Sequence, residues 1–281
     1  MRRATWACGL VAFVAGQAGA QPPAPQAPAA APRWHVDGGG DRCILTRALD
    51  PTTTLILRVF PQSGDYELML ARPDWPAGAA RVVDGATIML LPDKKSFDRR
   101  GAIVPLGGEL GKAVAFGGLP PEFVDALAGA RTLSVGAGGK PVAELPVPAS
   151  ARGAVAALRQ CEAVKAVDWG ADAAAFEPGG ALPKPVGDSR KWLDIRDVGS
   201  PNTWHAFGAG AAFRLVVGPS GSVERCDVLE ASANSALRAN GCKSLTAHAR
   251  YEPARDPQGR PVRGVLVYST SYQVVVRFEV R

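Results

Sequence analysis

Four cysteines constrain this chain more than any other feature: Cys43, Cys161, Cys226 and Cys242, with a fifth, Cys8, inside an N-terminal apolar run. Arg2 and Arg3 precede that run, apolar residues fill Ala7 to Ala15, and Ala18-Gly19-Ala20 supplies the small residues that precede a cleavage point. Residues 1–20 therefore read as a secretory signal peptide. Cleavage removes Cys8 and leaves an even number of cysteines in an oxidising compartment, where cysteines pair. The expected location is the periplasm, with no stable membrane insertion once the leader is cut. The alternative is an uncleaved inner-membrane anchor, because the uncharged run Ala4 to Ala20 is about 17 residues, at the lower limit for spanning a bilayer.

Residues 21–32 read QPPAPQAPAAAP. Proline fixes φ and removes donors, so this stretch reads as an unpacked tether, reaching under about 40 Å at about 3.1 Å per residue. The remaining length of the 281-residue chain has room for two domains, and a hydrophobic fraction of 47% is enough for real cores. The net charge of +6 includes Arg2 and Arg3, and no cluster of five or more Lys/Arg occurs. A solvated surface is expected, with no nucleic-acid partner.

From 33 to 164 the pattern predicts a β-rich domain with a terminal helix. Cys43 to Thr46 opens it; Leu55 to Phe60 is apolar enough for a strand buried on both faces in part; Pro61 to Asp65 is a turn and Tyr66 to Leu70 the return strand. Ala86 to Leu91 and Gly101 to Leu106 read as further strands, Pro121 to Ala128 as a short helix begun by proline. Thr132 to Val135 and Val142 to Val147 read as a hairpin around Gly138-Gly139, and Ser150 as the cap of a helix reaching about Ala163. Cys161 follows Leu158 by three residues, so both fall on the buried face of that helix. A Cys43–Cys161 bond would tie together the two ends of this domain.

Residues 165–187, rich in Ala, Gly and Pro, read as a linker, and 188–281 as a second domain. Phe213 to Val217 is a strand, Gly218 to Gly221 a turn, and Val223 to Leu229 the partner strand with Cys226 and Val228 on one face. A helix follows from about Asn234 to Ala249, its stripe formed by Leu237, Gly241, Leu245 and His248 or Ala249, with Cys242 beside it. Tyr251 to Ala254 ends the helix at a proline, Asp256 to Arg260 is a turn, and Gly264 to Phe278 supplies one long or two short strands. The order is ββαβ or ββαββ, and the fold class of the whole chain is α+β. Of three possible cysteine pairings, chain position selects Cys43–Cys161 and Cys226–Cys242.

No catalytic, metal or cofactor-binding set is apparent. His35, His205 and His248 are in no metal-ligand spacing. Gly218 to Ser222 lacks the glycine placement of a nucleophile elbow, and Ala113 follows Lys112 where a phosphate-binding loop needs Ser or Thr. An enzyme is not expected, and neither is a cofactor.

The motifs FRLVVGPSGSVERCDVLEAS, LRANGC and RYEPARDPQGRPV follow one another in the C-terminal third. In this order the segment from Asp188 to Phe278 resembles the C-terminal domain of the TonB-family energy transducers, including a variant with cysteines in the second strand and the helix. The resemblance implies a domain that grips a segment of an envelope or outer-membrane protein by strand addition, possible only at a strand edge with available N–H and C=O groups. The expected partner-binding strand is Val265, Leu266, Val267, Tyr268, Ser269, Thr270, Ser271 and Tyr272. The opposing expectation is that a further strand or a homodimer partner covers this edge, which makes the protein a structural envelope scaffold without an energy-transducing role. Departures from the family are a cleavable leader without histidine in its apolar run, a short proline stretch, and Arg238 where related sequences tend to carry an acidic residue. Residues 33–164 share a general pattern of export, strands, early Trp and Cys and a final helix with the invasion-associated locus B family.

Overall fold

Alternating apolar residues after Cys43 build the largest sheet of the described residues. The computed structural model describes residues 33–74, 82–137, 140–193, 209–231 and 235–272. The expected signal peptide and tether, the Gly138-Gly139 turn, Asn234 and any strand beyond Tyr272 lie outside these residues. The fold is mixed α+β and rich in strands.

Strands β1 (His35–Asp37), β2 (Cys43–Ala48), β3 (Thr54–Val59), β4 (Tyr66–Arg72), β5 (Val82–Leu91), β6 (Lys95–Gly107) and β7 (Gly111–Leu119) precede helix α1 (Pro121–Gly129). Strands β8 (Thr132–Ala137) and β9 (Lys140–Pro146) and helix α2 (Ala151–Asp168) follow. The nine strands form one antiparallel sheet in the order β1-β2-β3-β4-β7-β6-β5-β8-β9. Its inner face carries Leu45, Leu57, Leu68, Ile88, Phe116 and Leu133, all fully buried against Phe123 and Leu127 of α1 and Leu158 of α2. Burial at about 25 cal/mol per Å² of apolar surface is what holds the helices on this face. β3 is buried on both sides, because Ile56 packs with Met69 and Ala113 on the outer face.

Two local readings change. Ser150 precedes α2, but its backbone is already helical (φ −68°, ψ −4°) and its side chain caps nothing. A cap needs an extended residue to swing its oxygen back to the first amides; here the hydroxyl accepts from the Trp34 indole N–H at 3.1 Å. Gly111–Leu119, where sequence patterning predicts no strand, is the central strand β7, paired with both β4 and β6.

The segment expected as a linker is ordered and stitched to the second sheet region. The Asp172 N–H donates to the Arg263 carbonyl at 2.9 Å, and Ala181 and Arg255 exchange backbone bonds at 2.9 and 2.8 Å. Strand β10 (Lys184–Pro185) comes next, before the second sheet begins with β11 (Ala209–Val217) and β12 (Val223–Ala231). Helix α3 (Ser235–His248), β13 (Tyr251–Glu252), β14 (Ala254–Arg255), β15 (Pro261–Val262) and β16 (Gly264–Tyr272) complete the described chain. β10 pairs with β13 and β14 with β15, while the main sheet has the order β12-β11-β16.

This smaller sheet is covered on both faces. Phe213, Leu215 and Val217 of β11 face α3, with Leu237, Leu245 and Trp192. Trp192 stacks edge-on against Tyr251, and its carbonyl accepts from the Ser244 hydroxyl at 2.8 Å. Ala249 is buried while His248 is exposed, so Ala249 completes the stripe of α3. On the other face Val216 and Val265 pack on Ala166 and Ala171, and Ala212 and Val267 on Phe60. The C-terminal end of α2 therefore backs the second sheet, and the described residues form one compact unit.

Candidate functional site

β11 lies in the middle of the smaller sheet, so β12 and β16 are its outer strands among the described residues. The antiparallel ladder between β11 and β16 runs without a break from Ala209↔Tyr272 to Val217↔Gly264. All eight residues expected to bind a partner, Val265 to Tyr272, fall in this one strand. Val265 is buried against Ala166 of α2 and Val267 against Phe60; Leu266 and half-buried Tyr268 belong to the core under α3. Ser269 and Thr270 are half-buried, and the Tyr268 hydroxyl donates to the Ser189 carbonyl at 3.0 Å. In an antiparallel strand, backbone groups of successive residues point alternately to either edge, so β16 directs half of its N–H and C=O groups away from β11.

Close to the start of β16 the chain itself is near. Arg263 is engaged by Asp172, and a β-carbon on Gly264 would fall 2.2 Å from Pro183. Leu266 lines a cleft of about 850 Å³ whose other walls are α1, α2 and the segment around Phe176, Leu182 and Pro183.

Glu162 of α2 is at the wall of this cleft and is 4% exposed. Its carboxylate accepts from the Tyr66 hydroxyl at 2.8 Å and from the Gln62 N–H at 3.3 Å. Burial raises its pKa above the ordinary carboxylate range; the bonds from Tyr66 and Gln62 and the field of Arg159 pull the other way without cancelling it. Burial and the neighbouring Glu162 charge also push the Tyr66 phenol up. Arg159 is paired with Asp125 of α1, and no ion pair to Glu162 occurs among the described residues. Sequence reasoning missed Glu162, although a signal was present. Ala151, Val155, Leu158, Glu162 and Ala166 follow the helical stripe, and all are buried, which puts one acid in an otherwise apolar row.

The four cysteines pair as expected. Cys43 of β2 is joined to Cys161 of α2, with α-carbons 6.1 Å apart, and Cys226 of β12 to Cys242 of α3, with α-carbons 5.4 Å apart. Both distances are ordinary for disulfides. Among the described residues no group of three or more His, Cys, Asp or Glu is arranged to hold a metal ion, and no helix is long and apolar enough to cross a membrane.

No protein-family model, no curated protein and no solved structure matches the chain.

Proposed function

We propose that this is an exported envelope protein whose C-terminal lobe is a TonB-like binding module. It takes up an extended segment of an envelope or outer-membrane protein by adding it as a strand beside β16. The supporting observation is the position of Val265–Tyr272: an unbroken outer strand of a small sheet, paired on one side with β11 among the described residues. A guest strand there gains main-chain hydrogen bonds, with selectivity from alternate side chains. The protein acts by binding rather than catalysis, in the periplasm, after loss of residues 1–20.

The test is calorimetry of the oxidised protein with peptides copied from the plug segments of outer-membrane receptors. Adjacent residues donate to opposite edges, so of Ser269→Pro and Thr270→Pro one removes a donor from the guest side and the other from β11. Loss of binding in a variant that retains its melting temperature supports strand addition. No binding by any plug peptide overturns it. The mass of the mature N-terminus tests cleavage.

A second reading, an envelope scaffold without energy transduction, draws on the covered inner face. Val216, Val265 and Val267 are buried against the chain's own α2 region and Phe60. Sedimentation separates the readings, because a closed dimer using β16 has no place for a peptide.

A further inference from the structure

We propose that the cleft beside Glu162 binds a primary ammonium carried on an apolar body. The cavity of about 850 Å³ has apolar walls at Val155, Phe176, Leu182 and Pro183, which suit an alkyl or aryl body, and polar ones at Arg152 and Arg159. Its buried polar groups are arranged as an acceptor. Tyr66 and Gln62 both donate into the Glu162 carboxylate, one bond to each oxygen. Two oxygens of an ionised carboxylate take about four hydrogen bonds, so capacity for a further donor remains.

The missing partner is a cation. The charged groups of the cleft besides Glu162 are Arg152 and Arg159, both on α2, and Asp125 of α1; the turn before β4 offers the Gln62 amide and β4 the Tyr66 hydroxyl. Arg159 and Asp125 pair with each other at the surface, which leaves a buried acid without a counter-ion among the described residues. A buried charge gains most from a partner that arrives with hydrogen bonds. Asp125 engages Arg159 and not Glu162, so an ammonium set against the Glu162 oxygens completes the acceptor, while Arg152 on the cleft wall makes hexanoate the control that decides the sign. This site requires no backbone pairing and does not depend on strand addition at β16.

A proton competes with the ligand at Glu162, so affinity rises as pH increases through the pKa of that group. The probes are hexylammonium, hexan-1-ol and hexanoate, which share one apolar body, titrated into the full oxidised chain by calorimetry. Hexylammonium is expected to bind about tenfold more tightly than hexanol at neutral pH, the size of one hydrogen bond to a charged group. The preference shrinks in Glu162→Gln and in the wild type at acidic pH. The wild-type pH series carries the test if the variant does not fold. Equal binding of hexanol and hexylammonium, a preference for hexanoate, or a preference unchanged by both pH and Glu162→Gln overturns the proposal. Peptide binding at β16 is scored separately and can fail or succeed without affecting this result.

Discussion

Gly241 of α3 sits directly over the ring of Phe213 on β11: a β-carbon built at 241 would lie 2.4 Å from the ring Cζ. Phe213 is fully buried, so the ring has no solvent into which to move. The helix approaches the sheet this closely only because position 241 has no side chain. Gly241→Ala would normally favour a helix by about 1 kcal/mol. Here overpacking dominates, and the variant is expected to be destabilised by about 1–3 kcal/mol. Urea denaturation measures it; a stabilised variant would show that α3 does not rest on Phe213.

The disulfides should differ in weight. The chain-entropy model gives about 3 kcal/mol for a short loop and about 4.7 for one of a hundred residues, and the separations are 16 residues for Cys226–Cys242 and 118 for Cys43–Cys161. The double variant Cys43→Ala/Cys161→Ala is expected to lose more stability than Cys226→Ala/Cys242→Ala. Peptide mapping without reduction should recover these two pairs and no crossed ones.

Glu162 makes stability depend on pH with a definite sign. Its folded pKa is raised above the ordinary value of 4.5. Over the window from about pH 4.5 up to the raised value the folded state holds more protons than the unfolded state, so stability falls as pH rises. Glu162→Gln keeps an acceptor for Tyr66 and removes this slope. Thermal melts across that window should therefore decline for the wild type relative to the variant; parallel curves would contradict a buried, uncompensated acid.

Arg42 and Glu230 form an ion pair of 2.5 Å, but their substitutions should not be equivalent. Glu230 is mostly exposed, and an exposed pair contributes about 0–1 kcal/mol. Arg42 also covers the Phe60 ring, its Cζ 3.8 Å from the centroid, and approaches Glu67 at 3.8 Å. Arg42→Ala is therefore expected to cost more than Glu230→Ala, about 1–2 kcal/mol with the cation–π contact included. Chemical denaturation of both variants at low and high salt separates the packing part, which salt leaves intact, from the ionic part.

Much of this architecture is legible from local pattern. Leu55 to Val59 and Tyr66 to Leu70 declare themselves through apolar and β-branched content with a turn between, and the cysteine positions lead to the observed pairing. β7 is hidden because its apolar run, Ala113 to Phe116, is half alanine and is flanked by glycines, a composition of weak strand propensity. Its identity comes from its neighbours, β6 across a short turn and β4 far back along the chain, rather than from its own residues. The ordering of residues 165–187 is invisible for a similar reason. Ala, Gly and Pro signal a loop, yet Asp172 and Ala181 find their backbone partners at Arg263 and Arg255, far along the chain. The strand Val265–Tyr272 is readable by content, but its outer position follows only from the sheet order. Glu162 is readable as an acid in an apolar helical row; its cleft is not, because the walls come from segments distant in sequence.

The Cys43–Cys161 bond also decides which parts of the chain bear tension. If the protein is pulled from its N-terminal side and from β16, load passes covalently from β2 straight into α2, and the intervening strands are bypassed. The short crosslink Cys226–Cys242 similarly shelters the stretch between β12 and α3. What stretches first is β1 on β2, the contact of α2 with the smaller sheet and the ladder of β16 on β11, so the strands between Cys43 and Cys161 ride as passengers until a thiol cuts their tie.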